Sequence, residues 1–269
     1  MTQSRQAKTK ARAKALVQVE RVKCSYCKRA QSVCICNYLP KNPLKTSVKV
    51  IVLQHPNEVK KGLTSSIPLV RLCHQDTVVI RGVTFDSSGN VSRSFGRTLK
   101  NNPTSWWLQP FQHEDLAGAF IDIANNPPLL LYPSEDALDL DDFHDFQFGD
   151  EWENAGDSDV VHGVNNNQTT LIVIDGTWAE AKRICRRSPT ILRDSIPVKF
   201  TSSTKSIINE IRRGNKDNFL SSLEAIAFAI KKIDTSRESH ECSAAMLQAL
   251  AAVVDKQLHE WGKNTSNLE

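Results

Sequence analysis

No window of this chain has the roughly 20-residue apolar length that a bilayer-spanning helix needs, so a membrane span is excluded and a soluble protein is expected. No apolar stretch of the secretory type follows the N-terminus, which argues against an exported protein and its disulfides. The seven cysteines are an odd number and fit a reducing compartment, cytoplasmic or nuclear. Clustered thiols in such a compartment are read as metal ligands before disulfides. Positive charge is missing from one place. From Glu135 to Gly163 there are eleven acidic residues and no Lys or Arg. The rest of the 269 residues holds 34 basic and 19 acidic residues, a net of +15. A body that basic favours a polyanionic partner, most simply nucleic acid. The acidic stretch, about 136–168, has little apolar periodicity and reads as an insertion between two core strands. It is either a solvated spacer or a mimic of nucleic-acid charge.

What is present divides the chain into three. Residues 1–23 carry seven Lys or Arg and one acid, Glu20, and read as a flexible basic arm. Such an arm suits a nucleic-acid contact, a nuclear import signal or an organellar transit peptide. Residues 24–40 contain Cys24, Cys27, Cys34 and Cys36, spaced C-x2-C-x6-C-x-C. Two close pairs within thirteen residues predict a small N-terminal four-cysteine knuckle around a structural zinc, with a redox dithiol or buried free thiols as alternatives. Residues 41–269 are hydrophobic enough for one α/β domain.

That domain is organised around Thr169–Arg187. The β-branched run Leu171–Ile174 reads as a strand buried on both faces. Asp175, Gly176, Thr177 and Trp178 follow, then a helix over Ala179–Arg187 that ends before Pro189. A carboxylate at the carboxyl end of a parallel strand stands where α/β sheets bind ligands, although Asp175 could instead cap the helix. Gly176 is expected to bend the chain. Two more apolar runs, Lys49–Gln54 and Leu129–Tyr132, read as strands ending in the polar loops His55-Pro56-Asn57-Glu58 and Pro133-Ser134-Glu135. Thr77–Arg81 reads as another strand, Pro68–Cys73 as a helix, and Trp106–Leu108 as a short strand. Residues 86–104 read as loop. Ser206–Arg213 reads as helical. Ser221-x-x-Glu224 is a capping box opening a helix over Leu223–Lys232. The last helix, Cys242–Trp261, carries a core stripe that includes Met246, Leu250, Val254, Leu258 and Trp261.

Several of these segments together resemble the DTW-domain family: D-x-T-W at Asp175–Trp178, the cysteine spacing, LQHPNE at Leu53–Glu58, TSSIPLVR at Thr64–Arg71, LYPSEDA at Leu131–Ala137 and S-S-x-E-A at Ser221–Ala225. Ser222 stands where the family usually has Thr, and the acidic insertion after Ala137 is long. The resemblance implies a SPOUT-like, mostly parallel sheet with helices on both faces and a C-terminal knot. It implies a tRNA-uridine aminocarboxypropyltransferase, which moves the 3-amino-3-carboxypropyl group of S-adenosylmethionine to uridine N3 and releases 5′-methylthioadenosine. On that reading Asp175, Thr177 and Trp178 are catalytic, with Asp175 as base or orienting charge and Trp178 stacked on adenine or uracil, or else filling the core. The cofactor meets Gln54, His55, Glu58, Thr64, Ser65, Arg71, Tyr132, Pro133, Glu135, Ser221, Ser222 and Glu224. Arg183, Arg186, Arg187, Arg212 and Arg213 face the RNA. Three other readings stand beside this one: a SPOUT-type RNA methyltransferase, a nuclease holding Mg²⁺ with Asp175, Glu135 and Glu58, and a non-enzymatic zinc RNA-binding protein.

Overall fold

The computed structural model describes residues 22–60, 66–92, 111–142, 168–201, 206–207 and 220–266. Thr64, Ser65, Trp106–Leu108, Arg212, Arg213 and most of the acidic stretch lie outside the described residues. The chain divides into two compact units, Met1–Cys36 and Asn37–Glu269. In the first, a backbone bridge between Lys23 and Ala30 closes the turn that carries Cys24 and Cys27. The Lys28 amide donates to the Cys24 carbonyl at 3.0 Å, and the Cys24 amide to the Arg29 carbonyl at 2.7 Å. Closing so tight a turn puts Lys28 at φ 60, a left-handed conformation that few residues other than glycine adopt.

The second unit opens with β1 (Val48–Gln54), α1 (Pro56–Lys60), α2 (Ile67–Cys73) and β2 (Thr77–Arg81). Three short strands, β3 (Thr84–Phe85), β4 (Asn90–Ser92) and β5 (Phe111–Gln112), form a small antiparallel sheet, followed by α3 (Glu114–Gly118). Then come β6 (Leu129–Leu131), β7 (Leu138–Asp139), β8 (Thr169–Asp175), α4 (Trp178–Arg187), α5 (Pro189–Arg193), β9 (Ile196–Lys199), α6 (Ser222–Ile233) and α7 (Arg237–Ser266). The main sheet has six strands in the order β2-β1-β8-β6-β9-β7, every pair parallel. Five of the seven residues of β1 in a row, Val50–Gln54, are buried, as the unbroken apolar run requires of a strand covered on both faces.

Strand alternation sorts the two faces. Ile51 and Leu53 of β1, Ile172 of β8 and Leu130 of β6 point to one side, into a core with Phe85, Leu116, Ile184 and Ile191 from the small sheet, α3, α4 and α5. Val50, Val52, Leu171 and Val173 point to the other, which α6 covers, with α2 and α7 packed against α6. The crossover from β1 through α2 goes to one side, to β2. The crossover from β8 through α4 and α5 goes to the other, to β9 beyond β6. The connections therefore diverge at the junction of β1 and β8, the position where sheets of this class leave a crevice at their carboxyl edge.

Three expectations change. The stretch read as an acidic insertion begins inside the fold: Leu138–Asp139 is an edge strand on β9, and Leu140 is fully buried. Two apolar residues among the acids were enough to seat them there. The region read as loop after residue 85 contributes β4 to the small sheet, whose strands of two or three residues are too short to show a period. Finally, Leu258 is exposed; the core stripe of α7 runs from Cys242 only to Val254 among the residues whose side chains are described.

Candidate functional site

The three strands that the sequence picks out by their polar endings, β1, β8 and β6, are sheet neighbours, so their carboxyl-end loops meet. Gln54 and Asp175 are paired across β1 and β8 and share the α6 face. Asp175 is buried, with 5% of its surface exposed. Both of its carboxylate oxygens are held: Oδ1 accepts from Ser222 Oγ at 2.6 Å and Oδ2 from Gln54 Nε2 at 2.9 Å. Arg81 at the end of β2 donates to Gln54 Oε1 at 3.3 Å, which fixes the amide orientation. Asp175 does not cap α4. That position belongs to Thr177, whose hydroxyl accepts from the Glu180 amide while the Glu180 carboxylate accepts from the Thr177 amide. Gly176 has no left-handed φ. Its missing side chain instead lets two loops close up, since a Cβ there would stand 3.2 Å from Glu180 Cβ and 3.4 Å from His55 Cβ.

On the α4 side of the same edge, buried His55 places Nδ1 3.1 Å from Glu180 Oε1. Asn57 Nδ2 donates to that oxygen at 2.7 Å. Burial lowers the His55 pKa, with Arg183 adding to the shift and Glu180 and Glu58 opposing it. Burial alone would raise the Glu180 carboxyl, but the hydrogen bonds from Asn57 and Thr177 bring it below its usual range. Trp178 is 47% exposed, so it does not fill the core. It stacks on Tyr132 at 5.8 Å between centroids and 21° between planes, and Lys182 Nζ stands 5.1 Å from its ring.

The remaining expected residues divide. Ser221 is the N-cap of α6, and Glu224 closes its capping box. Glu224 is 1% exposed, and its oxygens accept from Ser206 Oγ, the Ile207 amide and the Ser221 amide at 2.6–2.8 Å. That carboxylate holds protein rather than facing a cleft. Glu58 is buried close enough to His55 to act on it electrostatically, while Pro133 and Glu135 are not buried. Arg71 is exposed in the last turn of α2, which runs back toward the amino ends of the strands, so it is not brought to Asp175. Arg183, Arg186 and Arg187 belong to α4, on the far side of the edge from Asp175. Glu180, Asn57 and Arg81 were not anticipated. Glu180 had a signal, because Thr177-x-x-Glu180 is the same capping-box pattern as Ser221-x-x-Glu224.

In the N-terminal unit the Sγ atoms of Cys24, Cys27, Cys34 and Cys36 all lie within 4.8 Å of one another. Cys24 and Cys36 are 3.4 Å apart, and Cys27 and Cys34 3.7 Å. Amides of Cys27 and Tyr26 pull the Cys24 thiol down to about 6. The set can hold a metal ion. Among the described residues it is also the one group of three or more His, Cys, Asp or Glu whose ligand atoms converge. Asp175, Glu58 and Glu135 do not form such a group. Cys73, Cys185 and Cys242 are buried, and burial raises all three thiols, to about 12, 11 and 12.

A model of the DTW domain matches residues 21–258. The chain belongs to the DTW domain family. Among curated proteins, tRNA-uridine aminocarboxypropyltransferase 2 of Macaca fascicularis is 28% identical over 233 residues, which are 86% of this chain and 63% of that protein. The Drosophila melanogaster protein of the same name is 28% identical over 232 residues, 86% of this chain and 74% of that one. tRNA-uridine aminocarboxypropyltransferase A of Arabidopsis thaliana is 24% identical over 185 residues, 68% of this chain and 57% of that protein. The chain thus spans under two thirds of the length of the first of these. No solved structure matches at a significant level. In this DTW domain the D-x-T-W residues serve different ends: Asp175 faces α6, Thr177 caps α4, and Trp178 stacks half-exposed on Tyr132.

Proposed function

We propose that this DTW domain modifies tRNA by transferring the 3-amino-3-carboxypropyl group of S-adenosylmethionine to N3 of a uridine. The observation that carries the reading is the buried carboxylate of Asp175 at the divergence of the β1 and β8 connections, in a chain whose relatives bear that enzymatic name. S-adenosylmethionine supplies an electrophilic methylene next to its positive sulfur. A bond forms from uridine N3 to that carbon, the carbon–sulfur bond breaks, and sulfur keeps the electron pair as 5′-methylthioadenosine. The N3 proton must leave. Asp175 accepts it, since each carboxylate oxygen keeps a lone pair beyond the bonds to Ser222 and Gln54. Ser222 and Gln54 hold the carboxylate in one orientation, which contributes through placement of the reactants. Buried Glu58 beside His55 is suited to the cofactor's ammonium group, and Thr64, Ser65, Pro133, Glu135 and Ser221 are its further expected contacts.

The cysteine set is assigned to zinc. Four thiolates at about 2.3 Å from a tetrahedral ion are about 3.8 Å apart, and the sulfur separations here are close to that. Cys34→Ser is expected to reduce bound zinc well below one per chain and to lower the unfolding temperature of the N-terminal unit; a metal-free wild-type protein with full activity would refute the assignment. We also assign the larger unit to the SPOUT-like class with a knotted C-terminal chain. An all-parallel sheet and the return of α6 to the β1 face support this, and an experimental trace of residues 200–222 decides it. The basic arm at 1–23 and the arginines of α4, with Arg212 and Arg213, are the expected tRNA contacts, in the cytoplasm or nucleus. The functional test is nucleoside mass spectrometry of tRNA from cells lacking the protein. Loss of an aminocarboxypropyluridine is expected; loss of a methylated nucleoside makes the enzyme a methyltransferase, and unchanged composition leaves only RNA binding.

A further inference from the structure

The two sides of the strand edge differ in charge, and the two substrates differ in charge. S-adenosylmethionine bears a sulfonium, an ammonium and a carboxylate, a net positive charge at neutral pH. A tRNA nucleotide arrives with phosphates on both sides. Asp175 faces α6, together with Gln54 and Ser222. Trp178 faces the other way, stacked on Tyr132 and with Lys182 over its ring. Arg186, four residues beyond Lys182, is close enough to Tyr132 to act on it electrostatically. The ring is 47% exposed although it sits at the first turn of a helix whose other large apolar residue, Ile184, is fully buried. A cationic cofactor gains nothing from such a surround, whereas a phosphate-bearing strand is drawn to it.

Resting on the tRNA reading above, we infer that Trp178, backed by Tyr132, is the stacking platform for an unpaired base of the tRNA, with Lys182 swinging off the ring to take one adjoining phosphate and Arg186 taking the other. This moves Tyr132 from the cofactor side to the RNA side and makes Trp178 a substrate-binding residue. Base-on-aromatic stacking requires a flat face and tolerates any base, so the platform positions an RNA strand without reading its sequence. The two rings stack at 21°, and Tyr132 is fixed in turn by the backbone bond from its amide to the Val198 carbonyl at 3.0 Å.

The test compares Trp178→Ala, Trp178→Phe and a Lys182→Ala/Arg186→Ala double variant with wild type. Unmodified tRNA binding is measured by fluorescence anisotropy, S-adenosylmethionine binding by calorimetry without RNA, and folding by thermal unfolding. For Trp178→Ala the expected result is a loss of tRNA affinity of ~10-fold or more, with cofactor affinity within about twofold. Trp178→Phe should recover most of the loss, because it restores a stacking face. The double variant should flatten the dependence of affinity on salt by about one to two counterions. A cofactor affinity that falls while tRNA affinity holds would put adenine on the ring and overturn the inference, and so would an alanine variant that binds tRNA as wild type does. Product analysis of the wild type separates this from the functional reading: a protein that binds tRNA through Trp178 yet releases no 5′-methylthioadenosine keeps the platform and loses the proposed reaction.

Discussion

Two capping boxes stand on either side of Asp175, and they use one local code for different ends. At the start of α4, Thr177 and Glu180 satisfy each other's backbone amides, and the remaining capacity of Glu180 goes to His55 and Asn57. That glutamate ties the loop after β1 to the loop after β8, at a place where 13% of its side chain meets solvent. At the start of α6, Ser221 and Glu224 make the same reciprocal pair, but Glu224 is sealed from water, and its remaining capacity goes to Ser206 and the Ile207 amide. One box assembles the site; the other fixes the chain that leads into α6 and so the position of Ser222. The contrast shows that an N3 glutamate has lone pairs left over after capping, and that burial decides whether losing it harms function or folding.

The contrast can be broken from the middle first. Asp175→Asn should reduce turnover by ~10²–10⁴-fold, the scale of a lost general base. The cost in stability should stay at about 1–3 kcal/mol, because an amide can still pair with Ser222 and Gln54. Kinetics beside chemical denaturation check both. Next, Glu224→Ala strands two buried donors and one half-buried one and should destabilise the fold by about 2–4 kcal/mol in urea titration, with Glu224→Gln recovering part of that. Glu180→Ala should cost only about 1 kcal/mol, yet lower kcat/KM more than its stability loss explains; equal effects from Glu180 and Glu224 would erase the distinction between the two boxes. The smallest effect concerns pH. Burial holds the folded His55 pKa below its unfolded value, so near and below pH ~6.5 the unfolded chain binds the extra proton. Stability should therefore fall as pH drops through that value, and His55→Gln should flatten the slope in denaturation midpoints taken between mildly alkaline and mildly acidic buffer.

Much of this architecture was legible in the sequence, for a physical reason. Strands buried on both faces must be apolar in their interior, and Lys49–Gln54, Leu129–Tyr132 and Leu171–Ile174 show such runs; all three lie side by side in the sheet. The polar residues that end them, Gln54, His55 and Asp175, converge. Short elements were not legible. Strands of two or three residues such as β3, β5 and β7 carry no period, and Leu138–Leu140 was hidden by the acids around it. Side-chain partnership was harder still. That Asp175 is held by Gln54 and Ser222, rather than capping a helix, depends on pairing across 121 and 47 residues of sequence, which no local pattern encodes. Arg71 shows the converse, because a basic residue in a recognisable segment reads as a site residue while its helix carries it toward the other end of the sheet.

The most direct test of the central claim is the product of one reaction. Purified protein is mixed with unmodified tRNA and S-adenosylmethionine, and both the small-molecule product and the RNA nucleosides are resolved by mass. The account predicts 5′-methylthioadenosine in equal amount to a uridine heavier by one aminocarboxypropyl group, with both formed at least ~10²-fold more slowly by Asp175→Asn. Release of S-adenosylhomocysteine with a methylated nucleoside, or undiminished transfer by the Asn variant, would contradict it.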